Sequence, residues 1–150
     1  MAFENHNTQR YIYLADDDSD DRDLFAEALR EVDPAVLLMQ AKDGMDLMES
    51  LLTLCSGELP EFIFLDINMP RKSGFECLQE IRNHESLKGL NVIMFSTCSN
   101  SDTIQKALQM GATFYAVKPS SYNRLKSLLE DVLGMDLAAD LEAKSGLLLK

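Results

Sequence analysis

At 150 residues, 46% hydrophobic and 26% charged, the chain has the size and make-up of one ordinary globular domain with a single core. Its 25 acidic against 14 basic residues give a formal net charge of -11, which argues against nonspecific binding to nucleic acid or an anionic membrane and points to a basic partner or a cation. The three cysteines, Cys55, Cys77 and Cys98, are odd in number and lack C-x-x-C spacing, so neither a disulfide framework nor a zinc site is supported and a reduced, cytoplasmic setting is expected.

Residues Met1 to Arg10 are polar and carry no apolar core of a signal peptide. The reading therefore takes 1–9 as a flexible N-terminus, 10–133 as the folded domain and 134–150 as a C-terminal extension, helical or frayed. The first apolar run, Tyr11 to Ala15, is followed by Phe25, Leu29 and Val32 at helical spacing, stopped by Asp33-Pro34. Val36 to Gln40 is the second strand. Gly44 opens a second helix with Leu47, Met48, Leu51, Leu52 and Cys55 on one face, closed by Gly57 to Pro60.

Phe62 to Asp66 forms the third strand, and Phe75, Leu78 and Ile81 mark the third helix. Val92 to Ser96 is the fourth strand, followed by a helix through Ile104, Ala107 and Leu108 that Gly111 ends. Thr113 to Val117 is the fifth. Ser121 caps the last helix, in which Leu125, Leu128, Leu129 and Val132 share a face and Gly134 is the stop. Strict β/α alternation with apolar strands predicts a parallel sheet with right-handed crossovers and helices on both faces.

In such a sheet the ligand crevice lies beyond the carboxyl ends of the strands. Asp16 and Asp17 follow the first strand, Asp66 ends the third, Ser96 ends the fourth and Lys118 follows the fifth. Carboxylates about 4 Å apart repel by about 4 kcal/mol per pair at an effective dielectric near 20, so three together need a counter-charge or one must protonate. Hard oxygen ligands suit Mg²⁺, and Lys118 is the right cation for a phosphoryl oxygen. A nucleophilic Asp with a divalent ion, a lysine and a hydroxyl describes an acceptor that forms an acyl phosphate.

The segments LADDD, FLDINMPRKSG, VIMFST and GATFYAVKP, in this order and spacing, resemble the receiver domains of two-component response regulators from about Tyr11 to Val132. The resemblance implies a flavodoxin-like, doubly wound five-stranded sheet in order 2-1-3-4-5 with five helices. It implies that Asp66 is the phosphoacceptor, served by a histidine kinase or histidine phosphotransfer protein. Asp17 is implied as a direct Mg²⁺ ligand, Asp16 as one acting through water, and Asn68 as the donor of a backbone carbonyl. Lys118 is implied to pair with the phosphate, with a cis bond to Pro119, while Ser96 and Tyr115 form a switch that biases the surface from the fourth to the fifth helix. Such a chain turns over no external substrate and catalyses only its own phosphorylation and dephosphorylation.

After Val132 the sequence has no room for a DNA-binding or enzymatic output module, so a stand-alone regulator is expected, signalling to a downstream protein target, with a homodimer possible. An aspartate-nucleophile phosphatase would read Asp16 and Asp18 as its D-x-D pair, but no later acidic pair at a strand end supports it. A receiver-like module that binds without phosphorylation is the other alternative. Asp18, Ser19, Asp20 and Asp21 read as a solvated helix start, and Cys98 as an inert thiol.

Overall fold

Each apolar run becomes a strand, and each helical pattern a helix, within a residue or two of its predicted bounds. The computed structural model describes residues 9–54, 56–135 and 147–149. The strands β1 (Tyr11–Ala15), β2 (Leu37–Ala41), β3 (Phe62–Leu65), β4 (Asn91–Ser96) and β5 (Phe114–Val117) pair in parallel in the expected order 2-1-3-4-5. Between them run α1 (Ser19–Val32), α2 (Gly44–Thr53), α3 (Gly74–Asn83), α4 (Ser101–Gln109) and α5 (Tyr122–Leu133). β2 begins later than predicted because the Val36 N–H is taken by the Asp33 carbonyl, and Leu37 makes the first ladder bond, to Arg10 O at 2.9 Å.

Side chains alternate along the central strands, so one sheet feeds two cores. Ile12, Leu14, Phe62, Phe64, Ile93, Phe95 and Phe114 face α1 and α5, where Phe25, Phe64 and Phe95 meet edge to face at 5.0–5.9 Å. Tyr13, Ile63, Leu65, Val92, Met94 and Tyr115 face α2, α3 and α4. Leu52 leaves the face predicted for α2 and is 49% exposed; Cys55 lies outside the described residues.

The helix starts are set by side-chain caps: Asp18, Asp43, Ser73, Asn100 and Ser121 each accept a backbone N–H of the first turn. Asp18, read as part of a solvated helix start, is the cap on α1, bonded by the Asp20 and Asp21 amides. Ser73 and Glu76 form a reciprocal capping box on α3.

Two expectations change, in the C-terminal extension and in the bond before Pro119. Leu147–Leu149 pairs in parallel with β5 as a sixth strand, β6, giving the order β2-β1-β3-β4-β5-β6; the predicted helical or frayed reading of the remainder, including Leu137 and Leu141, falls outside the described residues. Three residues are too short for periodicity to reveal, and their pairing depends on a neighbour distant in sequence. The Lys118–Pro119 bond is trans, not cis, the form an X–Pro bond favours by about 0.5–1 kcal/mol. Of the expected flexible N-terminus, 1–8 lie outside the described residues, while Gln9 is held by a 2.7 Å bond from its side chain to Ala35 O.

Candidate functional site

The ladder bonds continue one residue past the strands and so place the polar groups. Asp66 N–H reaches Ala15 O at 3.0 Å, Asp16 N–H reaches Ala41 O at 3.0 Å, and Lys118 N–H reaches Ser96 O at 2.8 Å. Asp16, Asp66, Ser96 and Lys118 thereby stand along one edge of the sheet, at its carboxyl end. Gly74, at the start of α3, allows the loop after β3 to fold back on itself: a Cβ there would lie 2.2 Å from the Asp66 carbonyl oxygen.

The Lys118 ammonium is the hub. Its Nζ lies 2.7 Å from Asp16 Oδ2, 3.2 Å from Asp21 Oδ2 and 3.3 Å from Asp66 Oδ2, so its three N–H groups meet three carboxylates. It also sits 5.7 Å from the centre of the Phe95 ring. Burial alone would lower the lysine pKa, but the hydrogen bond to Asp16 and the charges of Asp66 and Asp16 outweigh it and hold the ammonium charged.

Asp66 is buried and its pKa is pushed up to about 6, first by desolvation and then by the charge of Asp16; Lys118 pulls in the opposite direction. One ammonium cannot fully compensate this many acids in a partly dry setting. Asp66 Oδ1 accepts the Asn68 N–H at 3.3 Å, and Asp16 Oδ1 accepts the Asp18 N–H at 3.0 Å. The Arg22 guanidinium donates to the Asp16 carbonyl at 2.6 Å, tying α1 to the end of β1.

Carboxylate oxygens of Asp16, Asp17 and Asp66 lie within 4.8 Å of one another, with Asp17 exposed and the other two buried. An all-oxygen, acidic donor set open to water on one side fits a hard divalent cation such as Mg²⁺ or Mn²⁺ and does not fit a thiolate-seeking metal. Ser96 is buried, and its hydroxyl accepts the Cys98 N–H at 3.1 Å. Tyr115 is fully buried and donates to the Cys98 carbonyl at 2.7 Å. Burial raises its pKa, and because both hydroxyls bond to the Cys98 backbone, β4, β5 and the loop to α4 are joined there.

The residues singled out from sequence therefore converge: Asp16, Asp17, Asp66 and Lys118 directly, and Ser96 at the end of β4 with Tyr115 in β5, both bonded to Cys98 in the adjoining loop. Thr97 is exposed, at the rim of a groove of about 180 Å³ that Phe95, Lys118, Pro119 and Tyr122 also line. Missed from sequence were Asp21 and Arg22. Their one signal is helical spacing from the acids at the end of β1, hidden within an acidic run that a helix start explains equally well. The Cys98 thiol, read as inert, has its pKa pulled below the usual value by the Asn100 backbone N–H.

The model of the response regulator receiver domain family matches residues 12–130. The chain belongs to this family. Among curated relatives, the receiver is 30% identical over 119 residues to the probable C4-dicarboxylate response regulator DctR of Bacillus subtilis (79% of this chain, 50% of that one). It is 29% identical over 137 residues to the response regulator Rcp1 of Synechocystis sp., covering 87% of this chain and 88% of that one. The chain spans about half the length of the first curated relatives it matches. Among solved structures, the phosphorylated cyanobacterial phytochrome response regulator RcpA superposes with a TM-score of 0.75 at 28% identity (83% of this chain, 91% of that one). The Mn(2+)-bound form of Rcp1 superposes with a TM-score of 0.71 at 26% identity (89% and 95%). The five strands in order 2-1-3-4-5 with five helices are the flavodoxin-like fold of these receivers. Among the described residues no helix is long and apolar enough to cross a membrane.

Proposed function

We propose that this receiver accepts a phosphoryl group on Asp66 from a phosphohistidine of a histidine kinase or phosphotransfer protein, and signals through a change of shape read by another protein. The observation that carries this is the single ammonium of Lys118 bridging Asp16 and Asp66 at 2.7 and 3.3 Å beside a third acid, Asp17. In the transfer an Asp66 carboxylate oxygen attacks phosphorus, the P–N bond to the donor imidazole breaks, and the imidazole nitrogen leaves with the electron pair. An acyl phosphate results.

The chain's own contribution is mostly charge and position. Without a divalent ion Asp66 ionises only around pH 6, and the charge of a bound cation would favour its nucleophilic, ionised form. Lys118 already touches the acceptor carboxylate, which puts its ammonium within reach of a phosphoryl oxygen on Asp66. Mg²⁺, held by Asp16, Asp17, Asp66 and the Asn68 backbone carbonyl, would supply charge neutralisation at the phosphoryl oxygens. Ser96 is the hydroxyl beside the site, and its link to Tyr115 through the Cys98 backbone offers a path from Asp66 to the surface between α4 and α5. Moving a two-state surface from 1:99 to 99:1 needs about 5.5 kcal/mol of differential stabilisation, within reach of an acyl phosphate held by a lysine, a hydroxyl and a divalent ion.

The test uses phosphoramidate, a small donor with the same P–N bond, together with Mg²⁺. The wild-type chain should gain one phosphate, retarded on a phosphate-affinity gel, and Asp66→Ala should gain none. Uptake undiminished in Asp66→Ala would overturn the assignment, and absence of uptake in the wild type would favour a module that binds without phosphorylation.

A further inference from the structure

The sequence around Asp21 reads as a solvated helix start, yet the Asp21 carboxylate is one of three on the Lys118 ammonium. Its Oδ2 lies 3.2 Å from Nζ, a distance equivalent to that of Asp66. The three partners differ in burial. The Asp16 side chain is 1% exposed and the Asp21 side chain 44%. A buried carboxylate cannot give up its cation without a large desolvation penalty, whereas one facing water can exchange its partner for solvent cheaply.

The position of Asp21 is fixed by the start of α1. The cap residue Asp18 accepts the Asp21 N–H, and Arg22 binds the Asp16 carbonyl, so the first turn of α1 is anchored to the end of β1. Asp21 also lines the groove alongside Lys118, Phe95, Thr97 and Pro119. Its negative charge thus lies on the α1 side of the groove that leads to the lysine.

We propose that Asp21 is a positioning residue that restrains Lys118 between phosphorylation events and slows phosphoryl uptake by Asp66. This rests on the reading of Asp66 as the phosphoacceptor. Asp21 holds one of the three N–H groups and part of the lysine charge. As a phosphoryl oxygen approaches, the bond to Asp21 yields, because Asp16 is too buried to be released. The Asp21 charge additionally opposes the approach of an anionic donor.

The test compares initial rates of phosphorylation by acetyl phosphate in saturating Mg²⁺ for the wild type, Asp21→Asn, Asp21→Ser and Asp21→Glu, with Asp66→Ala as the blank. Both neutral variants should react about two- to five-fold faster than the wild type, the size expected for losing one partly exposed ion pair. The advantage should shrink as ionic strength rises. Asp21→Glu, which keeps the charge, should return to the wild-type rate, an outcome a purely structural role would not produce. Neutral variants that react at the wild-type rate or slower, or an Asp21→Glu variant as fast as Asp21→Asn, would overturn the role of Asp21 while leaving Asp66 as the acceptor. A wild type that takes up no phosphate would instead overturn the acceptor reading, and the Asp21 role with it.

Discussion

Asp66 stores an electrostatic cost that folding must carry. Its pKa rises from an ordinary 3.8 to about 6 through burial, so the folded chain disfavours the ionised form relative to the unfolded one. The favourable contribution of the protonated acid is fully present below about pH 4 and is lost as pH rises through about 6. Asp66→Asn, which cannot ionise, should therefore stabilise the divalent-free protein by about 1–3 kcal/mol at pH 7 to 8. The gain should fade toward pH 4, as measured by urea unfolding across pH. Removing the hub should do the reverse. Lys118→Met leaves Asp16 and Asp66 without their cation and should cost about 3–5 kcal/mol at neutral pH, much of it recovered in acid. At this scale the sequence was informative where a polar residue ended an apolar run, as with Asp16, Asp66, Ser96 and Lys118. Asp21 reaches the lysine only through the geometry of a helical turn, and its acidic neighbours gave it an ordinary explanation.

At the scale of elements, capping and close approach position the site. The Asp18 cap holds the turn of α1 that carries Asp21, so Asp18→Ala should cost about 1 kcal/mol in chemical denaturation and Asp18→Asn much less. Gly74 is more demanding, because an added Cβ would meet the Asp66 carbonyl oxygen at 2.2 Å and Ile67 Cα at 2.8 Å, both backbone atoms of the acceptor loop. Gly74→Ala should lower stability by about 1–3 kcal/mol, read as a fall in the denaturation midpoint. Helix and strand identities were legible because apolar residues recur with period 3.6 in α1 to α5 and run continuously in β3 and β4. Less legible was the exact start of β2, which depends on whether the Val36 N–H bonds to the Asp33 turn or to the sheet. The outward turn of Leu52 depends on where α2 stops touching its neighbours, which periodicity alone does not specify.

For the whole molecule, alternation of strands and helices was enough to predict a parallel sheet, and the resemblance supplied its order; what escaped was the sixth strand. Leu147–Leu149 covers the outer edge of β5, on which Tyr115 lies opposite Leu148. An uncovered strand edge is a template for unwanted pairing, and β6 occupies it. Both cores and the charged rim depend on the same five central strands, so the chemistry at Asp66 and the packing beneath it form one cooperative structure. The most direct test of the central claim is intact mass measured after incubation with acetyl phosphate and Mg²⁺, followed by peptide mapping. The account predicts a gain of one phosphoryl group, dependent on Mg²⁺ and mapped to Asp66. A phosphoryl group mapped to any other residue, or none under these conditions, would contradict it.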